Sequence, residues 1–105
     1  LGPTRRQEVA VVFADLVGFT DWSARRAPEE VIELLRGFHA RMERAIFANG
    51  GTVDKYIGDA VMATFGTPQP GPADATNALR CVRAMLAAVA DWNEERRSRG
   101  EEELR

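Results

Sequence analysis

The spacing of apolar residues changes twice along this chain, and each change marks an element. Val9-Ala10-Val11-Val12-Phe13-Ala14 is a β-branched run with little alternation, which predicts a largely buried strand over residues 8–14. Leu16-Val17-Gly18-Phe19-Thr20 then turns the chain, and a short helix is expected around Asp21 to Arg26. Pro28 suits a first helical position, with Glu29 and Glu30 favourably placed in the first turn. From there Val31, Leu34, Leu35, Phe38, Met42, Ala45 and Ile46 recur at steps of three and four, forming the stripe of a long helix. Asn49-Gly50-Gly51 supplies its stop signal.

Two short strands follow, Thr52 to Ile57 and Ala60 to Phe65, joined by Gly58-Asp59 in a tight hairpin. The stretch from Gly66 to Pro72, with Pro68, Pro70 and Gly71 inside it, reads as a loop. A last helix is predicted from about Ala73 to Arg99, with Ala75, Ala78, Leu79, Val82, Leu86 and Val89 on its buried side and Gly100 as terminator. Glu101 to Arg105 reads as the approach to a further strand.

Strand, helix, two-strand hairpin and helix, with a possible fourth strand, is the order of the ferredoxin-like split βαβ pattern. The expected fold class is therefore α/β (α+β), a βαββα(β) unit with an antiparallel sheet and helices on one face. In that topology the first and second strands run parallel, with the third inserted between them. The exit of strand one and the tip of the hairpin then share one sheet edge. Asp15 and Asp59, far apart in sequence, are expected to become neighbours there.

Composition narrows the chemistry. With 105 residues the chain makes one domain at most, and 45% apolar content fits a globular core. No apolar stretch approaches the ~18 residues that span a bilayer, no signal-peptide pattern opens the chain, and Leu1-Gly2-Pro3 is assigned no element. A net charge of −2 gives no electrostatic reason to expect nucleic acid. Cys81 is the only cysteine, so no intrachain disulfide forms, and it reads as a small buried or boundary residue. His39 is the only histidine, which excludes multi-histidine metal sites. It reads as a surface or boundary residue of the long helix, away from both aspartates in sequence. Trp22 and Trp92 read as core or interface aromatics, and Met42, Met62 and Met85 as packing residues. Arg96, Arg97 and Arg99 among Glu94, Glu95, Glu101, Glu102 and Glu103 read as a solvated charged helix end.

Metal chemistry here must rest on carboxylates, and oxygen ligands favour Mg²⁺, Mn²⁺ or Ca²⁺. Two aspartates converging at a sheet edge could hold one or two divalent ions, completed by the phosphates of a nucleotide. Paired ions about 3.5–4 Å apart activate an attacking oxygen and stabilise a leaving one. Val17-Gly18-Phe19-Thr20, between Asp15 and a helix start, offers backbone N–H groups to oxyanions. Lys55 could donate to the N1 acceptor of adenine, where guanine would call for a carboxylate. Asp54 beside it reads as surface-facing or as a partner charge.

Phe13-Ala14-Asp15-Leu16-Val17-Gly18-Phe19-Thr20 together with Lys55-Tyr56-Ile57-Gly58-Asp59 resembles the N-terminal half of a class III nucleotidyl cyclase catalytic domain, over roughly residues 8–99. The resemblance implies that Asp15, Asp59 and the backbone carbonyl of Leu16 bind two Mg²⁺ or Mn²⁺ ions. It implies that Val17, Gly18, Phe19 and Thr20 contact the triphosphate and that Lys55 recognises adenine. Residues 1–105 would then form a single partial catalytic domain, its metal- and ATP-binding half. The implied reaction is adenylate cyclase chemistry, ATP to 3′,5′-cyclic AMP and pyrophosphate, by attack of the ribose 3′-oxygen on the α-phosphorus. The implied partners are ATP and a homodimer mate or complementary cyclase half, in a cytoplasmic setting, with no nucleic acid and no membrane contact from this segment.

Family domains continue for about as many residues again, with a second adenine contact and the asparagine and arginine of the transition state. Nothing here matches that part, so Asn77, Asn93 and the arginines receive no such role, and the isolated chain is expected to lack efficient turnover. The alternative reading is a noncatalytic nucleotide-binding or dimerisation module that regulates a partner cyclase. A diguanylate cyclase is disfavoured because the hairpin carries no Gly-Gly-Asp/Glu-Glu-Phe signature.

Overall fold

The computed structural model describes residues 6–105; Leu1-Gly2-Pro3 lies outside the described residues. Its elements run β1 (Ala10–Ala14), α1 (Phe19–Ala24), α2 (Pro28–Ala48), β2 (Thr52–Ile57), β3 (Ala60–Phe65) and α3 (Asp74–Ser98). β3 lies between the other two strands and pairs antiparallel with both, so the sheet order is β1-β3-β2. β1 and β2 are therefore parallel, as the split βαβ reading requires. α2 packs on β2 and β3, α3 on β1 and β3, and the two helices pack on each other.

Local signals explain where the long helix begins and ends. α2 starts with Pro28 in its first turn and Glu29 and Glu30 beside the helix N-terminus. It ends where the Asn49 side-chain amide donates to the Ala45 carbonyl at 2.8 Å and Gly50 adopts φ +78°. Its stripe of Leu34, Phe38, Met42, Ala45 and Ile46 faces Val12, Val61, Ala63 and Phe65 of the sheet. Ile46 is fully buried at the centre of this layer. Ile46→Ala should cost about 2–5 kcal/mol of unfolding free energy, read from a urea titration.

Three expectations need correction. β1 is half-buried, because it lies at a sheet edge with only one face against the helices: Val12 is buried while Val11 and Phe13 are exposed. The buried side of α3 is Ala78, Cys81, Met85 and Trp92, whereas Ala75, Leu79 and Leu86 are exposed, and Val82 and Val89 are half-buried. The predicted stripe is offset around α3 from the face that packs on α2, β1 and β3. Arg96 is buried, not solvated: its guanidinium lies 5.8 Å from the Trp92 ring and its Nε donates to the Glu102 carbonyl at 2.8 Å. Arg97 and Arg99 remain exposed, as expected.

The C-terminal residues fold back toward β1. Asn93, which carries no role in the sequence reading, brackets Leu104 by donating to its carbonyl at 2.8 Å and accepting from its N–H at 2.7 Å. The Val17 N–H then donates to the Arg105 carbonyl at 2.9 Å, bringing residues 101–105 to the exit of β1.

Candidate active site

The register of the sheet sets the site. Ala14 pairs with Val61, and Ile57 pairs with Ala60, so the exit of β1 and the turn Gly58-Asp59 meet at the same end. Gly58 makes that turn with φ +61°, a backbone conformation that few other residues adopt readily. The Asp59 side chain then reaches across to β1, where its Oδ2 accepts the Leu16 N–H at 3.2 Å. Asp15 stands next to it, near enough for its carboxyl to hydrogen-bond Asp59 when protonated.

Electrostatics carry the mark of that convergence. The pKa of Asp15 is raised above the usual aspartate value, first by the hydrogen bond to Asp59, then by burial and by repulsion from the Asp59 charge. Two facing carboxylates on an exposed edge favour a cation between them. The donor set fits a hard divalent ion, since carboxylate and carbonyl oxygens are what Mg²⁺ and Mn²⁺ take. Among the described residues no group of three or more His, Cys, Asp or Glu side chains gathers, so phosphate or water oxygens would have to complete the coordination. A cation at this edge would compete with protonation of Asp15, which sets in at a higher pH than for an ordinary aspartate. Mn²⁺ affinity should therefore begin to fall, as pH is lowered, at a higher pH than an ordinary aspartate would give, measurable by titrating the free Mn²⁺ signal.

The loop after Asp15 divides its backbone donors. The Leu16 N–H is taken by Asp59 and the Val17 N–H by the Arg105 carbonyl. Gly18, at φ +73°, caps α1, and the amides of Gly18, Phe19 and Thr20 have no protein acceptor among the described residues. Those three N–H groups are the ones open to an oxyanion; the Val17 amide, counted among them in the sequence, is not. The Val17 side chain is exposed, and the Leu16 side chain is buried beneath the loop.

Lys55 is positioned by an irregularity. Val53 pairs with Ala63 but Lys55 pairs with Met62, so Asp54 is an extra residue that bulges from β2. Opposed residues share a sheet face, and Ala63 and Val61 are buried under the helices. Val53 and Tyr56 thus face the helices, while Lys55 joins Met62 and Phe13 on the opposite face. Without the bulge, strict alternation would put Lys55 on the same side as Val53. The Lys55 Nζ lies 3.8 Å from the Asp54 carboxylate, which makes Asp54 the partner charge.

One contact escaped the sequence. His39 is a half-buried boundary residue, but it touches the site: its Nε2 lies 2.9 Å from the Asp59 carbonyl oxygen. Its ring packs 4.6 Å from that of Tyr56, whose hydroxyl bonds the Glu43 carboxylate. That bond to Glu43, with burial second, pushes the Tyr56 pKa up to about 12. No spacing rule links a mid-helix residue to a hairpin tip, so only packing revealed the contact.

The model of the adenylate and guanylate cyclase catalytic domain matches residues 1–105. The chain belongs to this cyclase family. The cyclase chain is 33% identical over 100 residues to adenylate cyclase 1 of Rhizobium meliloti, covering 95% of itself and 15% of that protein. It is 35% identical over 96 residues to an adenylate cyclase of Anabaena cylindrica, covering 91% of itself and 18% of that protein. Among solved structures, the adenylyl cyclase CyaB of P. aeruginosa superposes with a TM-score of 0.84 at 32% identity, covering 91% of this chain and 50% of that one. The guanylyl cyclase Cya2 gives the same TM-score and identity, with 91% and 49% covered. The cyclase chain thus spans about half the length of those structures and less than a fifth of the two curated relatives. Equal likeness to an adenylyl and a guanylyl enzyme leaves the choice of base to particular residues. No helix among the described residues is long and apolar enough to cross a membrane.

Proposed function

We propose that this cyclase chain is the metal- and ATP-binding half of an adenylate cyclase catalytic domain. The observation that carries the reading is the meeting of Asp15 and Asp59 at the exit of β1, with Asp59 Oδ2 on the Leu16 N–H. Asp15, Asp59 and the Leu16 carbonyl would hold two Mg²⁺ or Mn²⁺ ions. Bound there, the ions would supply positive charge to the attacking ribose oxygen and the departing phosphates.

The chain's own residues then orient the nucleotide. Gly18, Phe19 and Thr20 present free amides to the triphosphate, in line with the helix start at Phe19, and Val17 lends only its side chain to that loop. Lys55, on the sheet face away from the helices, donates to N1 of adenine. In the reaction the ribose 3′-oxygen bonds to the α-phosphorus and gives up its proton, while the bond from that phosphorus to the bridging oxygen breaks and pyrophosphate leaves. We assign the groups that complete this step to a homodimer mate or a complementary cyclase half.

The test is product formation by the complete protein with ATP and Mn²⁺. Cyclic AMP should appear with metal and fall to background on chelation, with recovery when Mn²⁺ is restored. Metal-independent nucleotide binding with no product would support the regulatory-module reading instead.

A further inference from the structure

We propose that His39 is a positioning residue for the acidic pair, holding the main chain of the β2–β3 turn so that the Asp59 carboxylate stays at the exit of β1. The inference rests on the reading of Asp15 and Asp59 as the metal-binding pair.

Asp59 sits in a two-residue turn, beyond the last ladder pair Ile57 and Ala60. A side chain added at Gly58 would meet nothing within 4 Å, so the tip is not packed on that side. Two bonds locate Asp59 instead. One uses its carboxylate, which accepts the Leu16 N–H at 3.2 Å. The other uses its carbonyl, 2.9 Å from His39 Nε2. Since a carbonyl only accepts, Nε2 carries the proton of that bond.

The difference between the two anchors matters. A cation or a phosphate-bound cation draws on the carboxylate oxygens, and so competes with the first bond. The second leaves both carboxylate oxygens free and persists when they are engaged. His39 can bear that role because its own ring is held, 5.8 Å from Phe38 and 4.6 Å from Tyr56. Glu43, one helical turn further along α2, bonds the Tyr56 hydroxyl. The helix therefore grips the hairpin at two points, one in the strand and one at the tip. Outer partners of metal ligands are worth about 10–100-fold in affinity, and displacements of about 1 Å can cost about a hundredfold in rate.

The experiment measures Mn²⁺ binding to the complete protein by the electron paramagnetic resonance of free Mn²⁺, with 3′-deoxy-ATP, which lacks the attacking hydroxyl. His39→Phe keeps a ring against Tyr56 and removes the donor. It should weaken Mn²⁺ binding about tenfold and speed amide exchange at residues 58–60, with the melting temperature unchanged. His39→Gln, whose amide nitrogen can take the place of Nε2, should return binding to within about threefold of the parent. Parent-like binding by His39→Phe overturns the proposal. So does failure of His39→Gln to rescue when both variants melt like the parent, because restoring the donor would then not restore the site. Where His39→Phe does not fold, the same loss is required of His39→Asn, whose amide is too short to reach Asp59. Asp59→Asn separates the two readings. If it leaves Mn²⁺ binding intact, the metal site itself is wrong; if it weakens binding and His39→Phe does not, only the positioning role falls.

Discussion

Asp59→Ala in the complete protein should, on the proposed function, lower Mn²⁺-dependent cyclic AMP formation by about a thousandfold or more. The substitution removes one of two carboxylates at the shared sheet edge and also the acceptor of the Leu16 N–H. Metal charge at a phosphoryl centre is worth several kcal/mol, and each ~1.4 kcal/mol is tenfold in rate. The fold should survive, because the turn is made by Gly58 and the ladder pair Ile57–Ala60 lies outside the substitution. The checks are turnover at saturating Mn²⁺ alongside a thermal melt. Near-parental turnover by a folded variant would remove Asp59 from the metal site.

Lys55→Glu should shift the ratio of kcat/KM for ATP over GTP by about 10–100-fold toward GTP. Adenine offers an acceptor at N1 and guanine a donor, so exchanging ammonium for carboxylate exchanges the base that finds a partner. A hydrogen bond to a charged group contributes about 1.5–3 kcal/mol, which corresponds to that range. The effect should fall short of that seen at sealed base pockets, because the Lys55 side chain is 59% exposed in this chain. The new carboxylate would also lie beside Asp54, within reach of the present 3.8 Å ion pair, and some general loss of activity is expected from that repulsion. Parallel initial rates with both nucleotides decide the matter. An unchanged preference would refute base reading by Lys55.

The places where sequence reading stopped share a cause. Leu79 and Leu86 keep helical spacing with Val82, yet they are exposed, because the face of α3 that packs on α2 and the sheet is the one carrying Ala78, Cys81 and Met85. Arg96 looks like one more charge in an Arg/Glu run, but it is buried, its guanidinium beside the Trp92 ring and its Nε on the carbonyl of Glu102 in the returning tail. The Val17 amide looked free for a phosphate because nothing in the local string announces that Arg105 would accept it. In each case the deciding contact comes from how the chain packs or folds back, which the local pattern does not state.

Element order, the bounds of β2 and β3 and the start of α2 at Pro28 were legible from periodicity, glycines and proline, since those signals act over a few neighbouring residues. The approach of Asp15 to Asp59 was legible too, because an antiparallel strand inserted between two parallel ones leaves little freedom over which ends meet. Strand pairing alone settled the face on which Lys55 lies. The bulge at Asp54 shifts the alternation by one residue, and a bulge exists only relative to a partner strand. Helix-on-sheet packing alone brought His39 to the Asp59 carbonyl, because a side chain's contacts across layers depend on how two elements cross and not on the spacing within either.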